Sequence, residues 1–146
     1  TAKPANYDHA RNKDGSYEID SLVEGNMVQF PEWGKSLTAG KRTDTAATNG
    51  SSIDDAAATS NGLGAQLQVF SFTGTSVTVS IQDSPNNTDW TTRLSFTAAT
   101  GRTTERKTWS GSPARYVRAI TAGTFSSAVF ALAYRRGESV DQIAYA

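Results

Sequence analysis

Between residues 64 and 136 apolar and polar side chains alternate in short runs. Gly64-Ala-Gln-Leu-Gln-Val-Phe-Ser-Phe-Thr-Gly-Thr-Ser-Val-Thr-Val-Ser-Ile-Gln-Asp83 predicts two strands joined at Thr73-Gly74. In the second of them Val77, Val79 and Ile81 alternate with Thr78, Ser80 and Gln82, a period of two that puts branched apolar groups on one face and hydrogen-bonding groups on the other. Leu94, Phe96 and Ala98 alternate in a third strand, 90–97, where Trp90 reads as a core residue. Further strands are predicted over 103–109, polar throughout, over 115–121 and over 127–136. The run Ala128 to Tyr134 is apolar on both faces, as a central strand requires. Asp83-Ser-Pro-Asn-Asn-Thr-Asp89, Gly111-Ser-Pro113 and Ala122-Gly123 supply turn chemistry between them. Such a sheet needs a second layer over its apolar face, so the pattern predicts an all-β fold, a β-sandwich of Greek-key, jelly-roll or immunoglobulin-like kind, over 64–136.

Upstream, Ala2 to Asp8 and Ser16 to Val23 flank the turn signal Asn12-Lys13-Asp14-Gly15 and predict a β-hairpin, with Tyr17 and Ile19 alternating against polar neighbours. A two-stranded sheet is marginal by itself in water. Met27, Val28, Phe30 and Trp33 follow as an apolar cluster that calls for a partner surface. Residues 1–38 therefore read as a hairpin and apolar segment left from a larger upstream domain, the more so because the chain opens on Thr1 without an initiator Met. Residues 39–63 are almost wholly small and polar and read as an extended arm or linker. Residues 137–146 read as a loose tail or a strap onto a neighbouring subunit, with Ile143 and Tyr145 its sizeable apolar groups. The side chains expected to meet other copies are Tyr17, Ile19, Phe30, Trp33, Ile143 and Tyr145.

Composition narrows the function. The 146 residues carry 14 basic and 14 acidic side chains, a balance that suggests no sequence-specific nucleic-acid partner. The absence of cysteine removes disulfides and thiolate chemistry, and no apolar run approaches a membrane span. Charge is unevenly placed: 1–60 hold about six basic and nine acidic groups and 61–146 about eight and five, opposite signs that would orient subunits as they meet.

Candidate chemistry is sparse. His9, the one histidine, reads as an exposed turn residue, since no second His, Cys or nucleophile motif accompanies it. Asp83, Asn86, Asn87 and Asp89 could offer oxygens to calcium but match no known loop, as is true of Asp54-Asp55. Trp109, beside Lys107 on a polar strand, is the best candidate for a glycan platform, with host-surface sugar as its ligand. Arg115, Arg118, Arg135 and Arg136 read as a solvated or acid-paired face. No cofactor, metal site or catalytic constellation is expected.

Taken in order, Asn6-Tyr7-Asp8, Asp14-Gly15-Ser16, Glu32-Trp33-Gly34, Leu37-Thr-Ala-Gly-Lys-Arg-Thr-Asp44, Leu67-Gln-Val-Phe-Ser-Phe-Thr-Gly-Thr-Ser-Val-Thr-Val79, Ile81-Gln82-Asp83-Ser84, Arg115-Tyr116-Val117-Arg118 and Gly123-Thr124-Phe125 resemble the C-terminal part of tail proteins of long-tailed bacteriophages, above all those of actinobacteria. The likeness covers nearly the whole chain, and none of its motifs marks an activity. It implies an upstream β-rich domain that builds stacked tail-tube rings, with the later segment an added sandwich. It also implies a non-enzymatic virion protein, assembled in the host cytoplasm, whose partners are copies of itself and other virion proteins. A carbohydrate-binding module on a virion and a capsid decoration protein are the other readings of the same pattern.

Overall fold

The computed structural model describes the backbone of Lys3–Arg11 and Tyr17–Glu24 and the whole of residues 34–137. The chain divides into two compact units, Thr1–Pro31 and Glu32–Ala146, so the boundary falls ahead of residue 38. In the first unit β1 (Lys3–Arg11) and β2 (Tyr17–Glu24) form a two-stranded antiparallel sheet running from Lys3↔Glu24 to Arg11↔Tyr17. Tyr17 and Ile19 stand in β2 opposite Arg11 and His9; His9 thus belongs to a strand and not to the turn. Phe30, Trp33, Ile143 and Tyr145 lie outside the described residues.

The second unit is a seven-stranded antiparallel sheet of β3 (Lys35–Ser36), β4 (Arg42–Asp44), β5 (Asn49–Asp54), β6 (Leu63–Ser84), β7 (Thr91–Ser95), β8 (Thr103–Trp109) and β9 (Tyr116–Arg136). All of the regular structure among the described residues is strand. Where separate strands were expected over 64–83 and over 115–136, β6 and β9 run on without a break, 22 and 21 residues long, and pair along their whole length. On the flank of β6, β8 covers 63–69 and β7 covers 80–83; on the flank of β9, β3 and β4 cover the C-terminal half and β5 the N-terminal half.

Cross-sheet contacts show that this long ribbon is folded over. Lys107 pairs with Ala65 and Ser95 with Ser80, positions that a straight strand would hold about 50 Å apart at ~3.3 Å per residue. Yet Lys107 Nζ donates to the Ser95 carbonyl at 2.9 Å. On the other flank Asp54 pairs with Tyr116, while Tyr134, eighteen positions along β9, donates its hydroxyl to the next residue, Asp55, at 2.8 Å. The second layer that the apolar face needs is therefore supplied by the far half of the same two strands.

Bulges make the fold-over compatible with a single core. Phe70 and Thr75 are extra residues on β6, and Ser126 is extra on β9. Two insertions cancel, so odd-numbered residues point inward at both ends of β6: Leu63, Leu67 and Val69, then Val77, Val79 and Ile81. One insertion does not cancel. On β9 the inward set switches from Val117 and Ala119 to Ala128, Phe130, Leu132 and Tyr134. All of these join Leu37, Leu94, Phe96 and Ala99 in one buried cluster.

Residues 39–63, expected as an extended arm, instead lay β4 and β5 along β9. Leu37 and Thr38 are also buried there, the Leu37 N–H donating to the Leu132 carbonyl and the Thr38 hydroxyl accepting from the Leu132 N–H. Backbone ladders and ion pairs hold these segments, and neither leaves an apolar pattern in sequence.

Candidate functional site

Three buried aspartates carry the strongest polar chemistry of the second unit. Arg42 and Asp44 are two apart on β4 and so share a face; Arg42 grips Asp44 through Nε and Nη2, both at 2.8 Å. The Thr121 hydroxyl donates to the same carboxylate at 2.7 Å, tying β4 to β9 beside the bend. Asp83, at the end of β6, accepts from Arg93 Nε and from the Ala114 N–H, both at 2.8 Å. Asp55, just past β5, takes Lys35 Nζ at 2.7 Å, the Tyr134 hydroxyl at 2.8 Å and Arg136 Nε at 3.1 Å. Arg136 reaches on to the carbonyls of Ala114 and Ala57. Burial, then the Asp55 carboxylate, push the Tyr134 phenol far up, so it serves as a fixed donor. Each carboxylate is surrounded by donors that hold chain segments together, an arrangement that fixes position.

Trp109 and Lys107, two apart on β8, do come together on one edge, in the seam where the layers meet. Lys107 Nζ is shared between the Ser95 carbonyl and Glu105 Oε1 at 3.2 Å. The Trp109 indole packs against the core, carries the Arg93 guanidinium 5.1 Å above its centroid and abuts Gly111, where a Cβ would stand 2.0 Å from Cζ2. Both side chains are thus engaged in closing the seam. Trp90, expected in the core, lies half-buried outside the core cluster, stacked 4.1 Å from the Arg118 guanidinium, which donates twice to Gln82 Oε1.

Glu105 bridges the same seam, accepting from the Thr97 N–H at 2.8 Å and the Thr97 hydroxyl at 2.9 Å. Partial burial raises its pKa, but these bonds and Lys107 outweigh that and hold it below the usual range. The exposed Asp54 is drawn down from 3.8 to about 2, first by the Arg115 hydrogen bonds at 2.7 and 2.6 Å and then by the Ala56 N–H. Both groups have folded-state values below their unfolded ones, so their stabilisation is complete above the ordinary carboxylate range and is lost as pH falls through the folded values. Urea midpoints of the wild type and Glu105→Gln should differ at pH 6 and converge toward pH 3; a gap independent of pH would contradict the bridge.

The oxygens weighed for calcium, those of Asp83, Asn86 and Asp89 and of Asp54 and Asp55, are engaged within the protein. Asp83 is turned toward Arg93, Asn86 accepts from the N–H groups of Thr88 and Asp89, and Asp54 and Asp55 answer to different cations. Among the described residues no group of three or more His, Cys, Asp or Glu could hold a metal. Of the four arginines read as a solvated or acid-paired face, Arg136 is buried in the Asp55 cluster and Arg115 is the pair of Asp54.

On the outer face a shallow groove of about 150 Å³ crosses β9, β6 and β8. Gly34, Gly64 and Ala133 contribute small groups to it, with Gln66, Arg106 and Arg135 around them. Sequence patterning missed it because glycine and alanine leave no periodic mark.

Among the described residues no helix is long and apolar enough to cross a membrane. No family model matches the chain, and no curated protein matches it either.

Proposed function

We propose that the chain is a non-enzymatic structural protein of a bacteriophage virion, a tail-tube subunit or a domain appended to one, and that it acts by subunit assembly. The observation that carries this reading is the first unit: β1 and β2 form a two-stranded sheet, which is marginal in water until something covers it. Other copies supply that cover in a ring or stack. The bacteriophage-like motifs support the same reading, and so does a second unit whose buried carboxylates are occupied in holding segments together.

The test is the mass and symmetry of the full chain over a range of concentration, by sedimentation and negative-stain microscopy. Rings, tubes or discrete oligomers are expected. Ile19→Asp, a charge at an apolar position of β2, should abolish them and leave the thermal transition of the second unit in place. A monomer at every concentration would end the proposal.

A further inference from the structure

One arginine of the second unit lacks the counter-charge that others have. Residues 34–137 hold eleven basic and six acidic side chains. Five of those acids are bound to cations, and the sixth, Asp89, accepts from Asn86 Nδ2 at 2.6 Å. Arg42, Arg93, Arg115 and Arg136 each hold one of these carboxylates. Arg118 holds none among the described residues, although it is half-buried and burial draws its pKa below the usual arginine value. A partly desolvated cation without a counter-charge attracts an anion from outside. The guanidinium is also held still. Strand pairing sets four side chains in a row on the outer face, Ser52 on β5, Arg118 on β9, Gln82 on β6 and Thr92 on β7. Gln82 Oε1 accepts from Arg118 Nε at 2.9 Å and from Nη2 at 2.8 Å, while Gln82 Nε2 donates to the Thr92 hydroxyl at 3.1 Å. The Trp90 ring lies against the same guanidinium, its centroid 4.1 Å from Cζ, and fixes its plane. Gln82 thus takes one edge of the fork. The other edge, Nη1 with Nη2, meets no acceptor among the described residues, and its two parallel N–H groups match the two oxygens of a carboxylate.

We propose that this open edge of Arg118 binds the carboxylate of an acidic sugar, a uronic acid residue of an anionic polysaccharide. The surroundings favour a sugar. The hydroxyls of Ser52 and Thr92 and the amide of Gln82 stand in the same row and can both donate to and accept from ring hydroxyls. Ile120, the next outward residue of β9, is half-buried and gives one apolar surface to the C–H face of a ring. An acid carried by a protein partner would bring an apolar interface core with it, whereas the row holds no apolar side chain. The excess of eleven basic over six acidic groups in residues 34–137 adds a long-range pull on a polyanion.

Calorimetric titration of the full chain with trigalacturonate is the test. Binding is expected, and the methyl ester of the same oligosaccharide, which keeps the rings and loses the charge, should bind at least about tenfold more weakly. Arg118→Gln and Arg118→Lys should each weaken binding by about tenfold or more, the second because an ammonium keeps the charge without the fork. Thr92 is exposed and shares the Gln82 amide with Arg118, so Thr92→Glu places a carboxylate of the protein's own beside the fork and should block binding. That variant supplies the same test at an exposed position should Arg118→Gln fail to fold. No binding of trigalacturonate, equal binding of its ester, or binding that survives Thr92→Glu overturns the proposal. So does triglutamate binding as tightly as trigalacturonate, since the site would then read a carboxylate on a peptide. The titration reads the same in a monomer as in a ring, so failure of the assembly reading leaves its result standing.

Discussion

Asp55→Ala is expected to cost about 3–5 kcal/mol of folding stability, the range for stranding one side of a buried ion pair. The carboxylate is 4% exposed, Arg136 is 9% exposed, and three donors from β3 and β9 end on Asp55. Without it the Arg136 guanidinium and the Tyr134 hydroxyl face each other with no acceptor between them. The C-terminal end of β9 would then separate from the residues after β5. Urea unfolding with an unchanged slope and a lowered midpoint is the measurement. Asp55→Asn keeps an acceptor and should lose less, and Tyr134→Phe should lose about 1 kcal/mol, the worth of one hydrogen bond. A loss below about 1 kcal/mol for Asp55→Ala would show that the layers are held by the apolar core alone.

The second large effect is expected at the bend. Gly123 has φ +124°, and a Cβ there would stand 2.3 Å from the Ser76 carbonyl oxygen; Gly74, across the ribbon, has φ +148° and would press its Cβ to 2.4 Å from Phe125 Cα. Neither neighbour can move aside, because both belong to the paired backbone of β6 and β9. Gly123→Ala combines a disfavoured φ with overpacking, each worth about 1–3 kcal/mol, for a total of about 2–6 kcal/mol. Gly40→Ala is the control: its φ is +70°, but nothing lies within 4 Å of the added methyl, so the cost should be the backbone term alone, about 1–2 kcal/mol. If Gly123→Ala and Gly40→Ala unfold at the same midpoint, close approach at the bend is not what demands glycine.

These two sites mark where reading the sequence stops. The alternation Val77, Val79, Ile81 and the doubly apolar run Ala128 to Tyr134 announce strands, and β9 is indeed flanked on both sides. Thr73-Gly74 is legible in sequence as a break in the pattern, although β6 runs through it unbroken. What it does is not legible, because a glycine that ends one strand and a glycine that bends a continuous one carry the same local signal. Asp55 is harder still. In sequence it is one of two adjacent acids in a polar stretch, and its partners are 20, 79 and 81 positions away. Arg42 and Asp44 are close in sequence, but their pairing follows from β4, a strand that the small polar stretch after residue 38 does not announce.

By itself the sequence determined the structural class of this protein: an all-β chain with a hairpin ahead of the main sheet. Period and composition are local properties, and a strand's two faces are set by its own residues. Only the tertiary structure decided that β6 and β9 fold over to make both layers, that the polar stretch after residue 38 belongs to the sheet, and that Trp109 and Lys107 close a seam. Those outcomes depend on which distant backbone and charged groups find each other once the bulges have turned the ribbon, and nothing in a single segment records that choice.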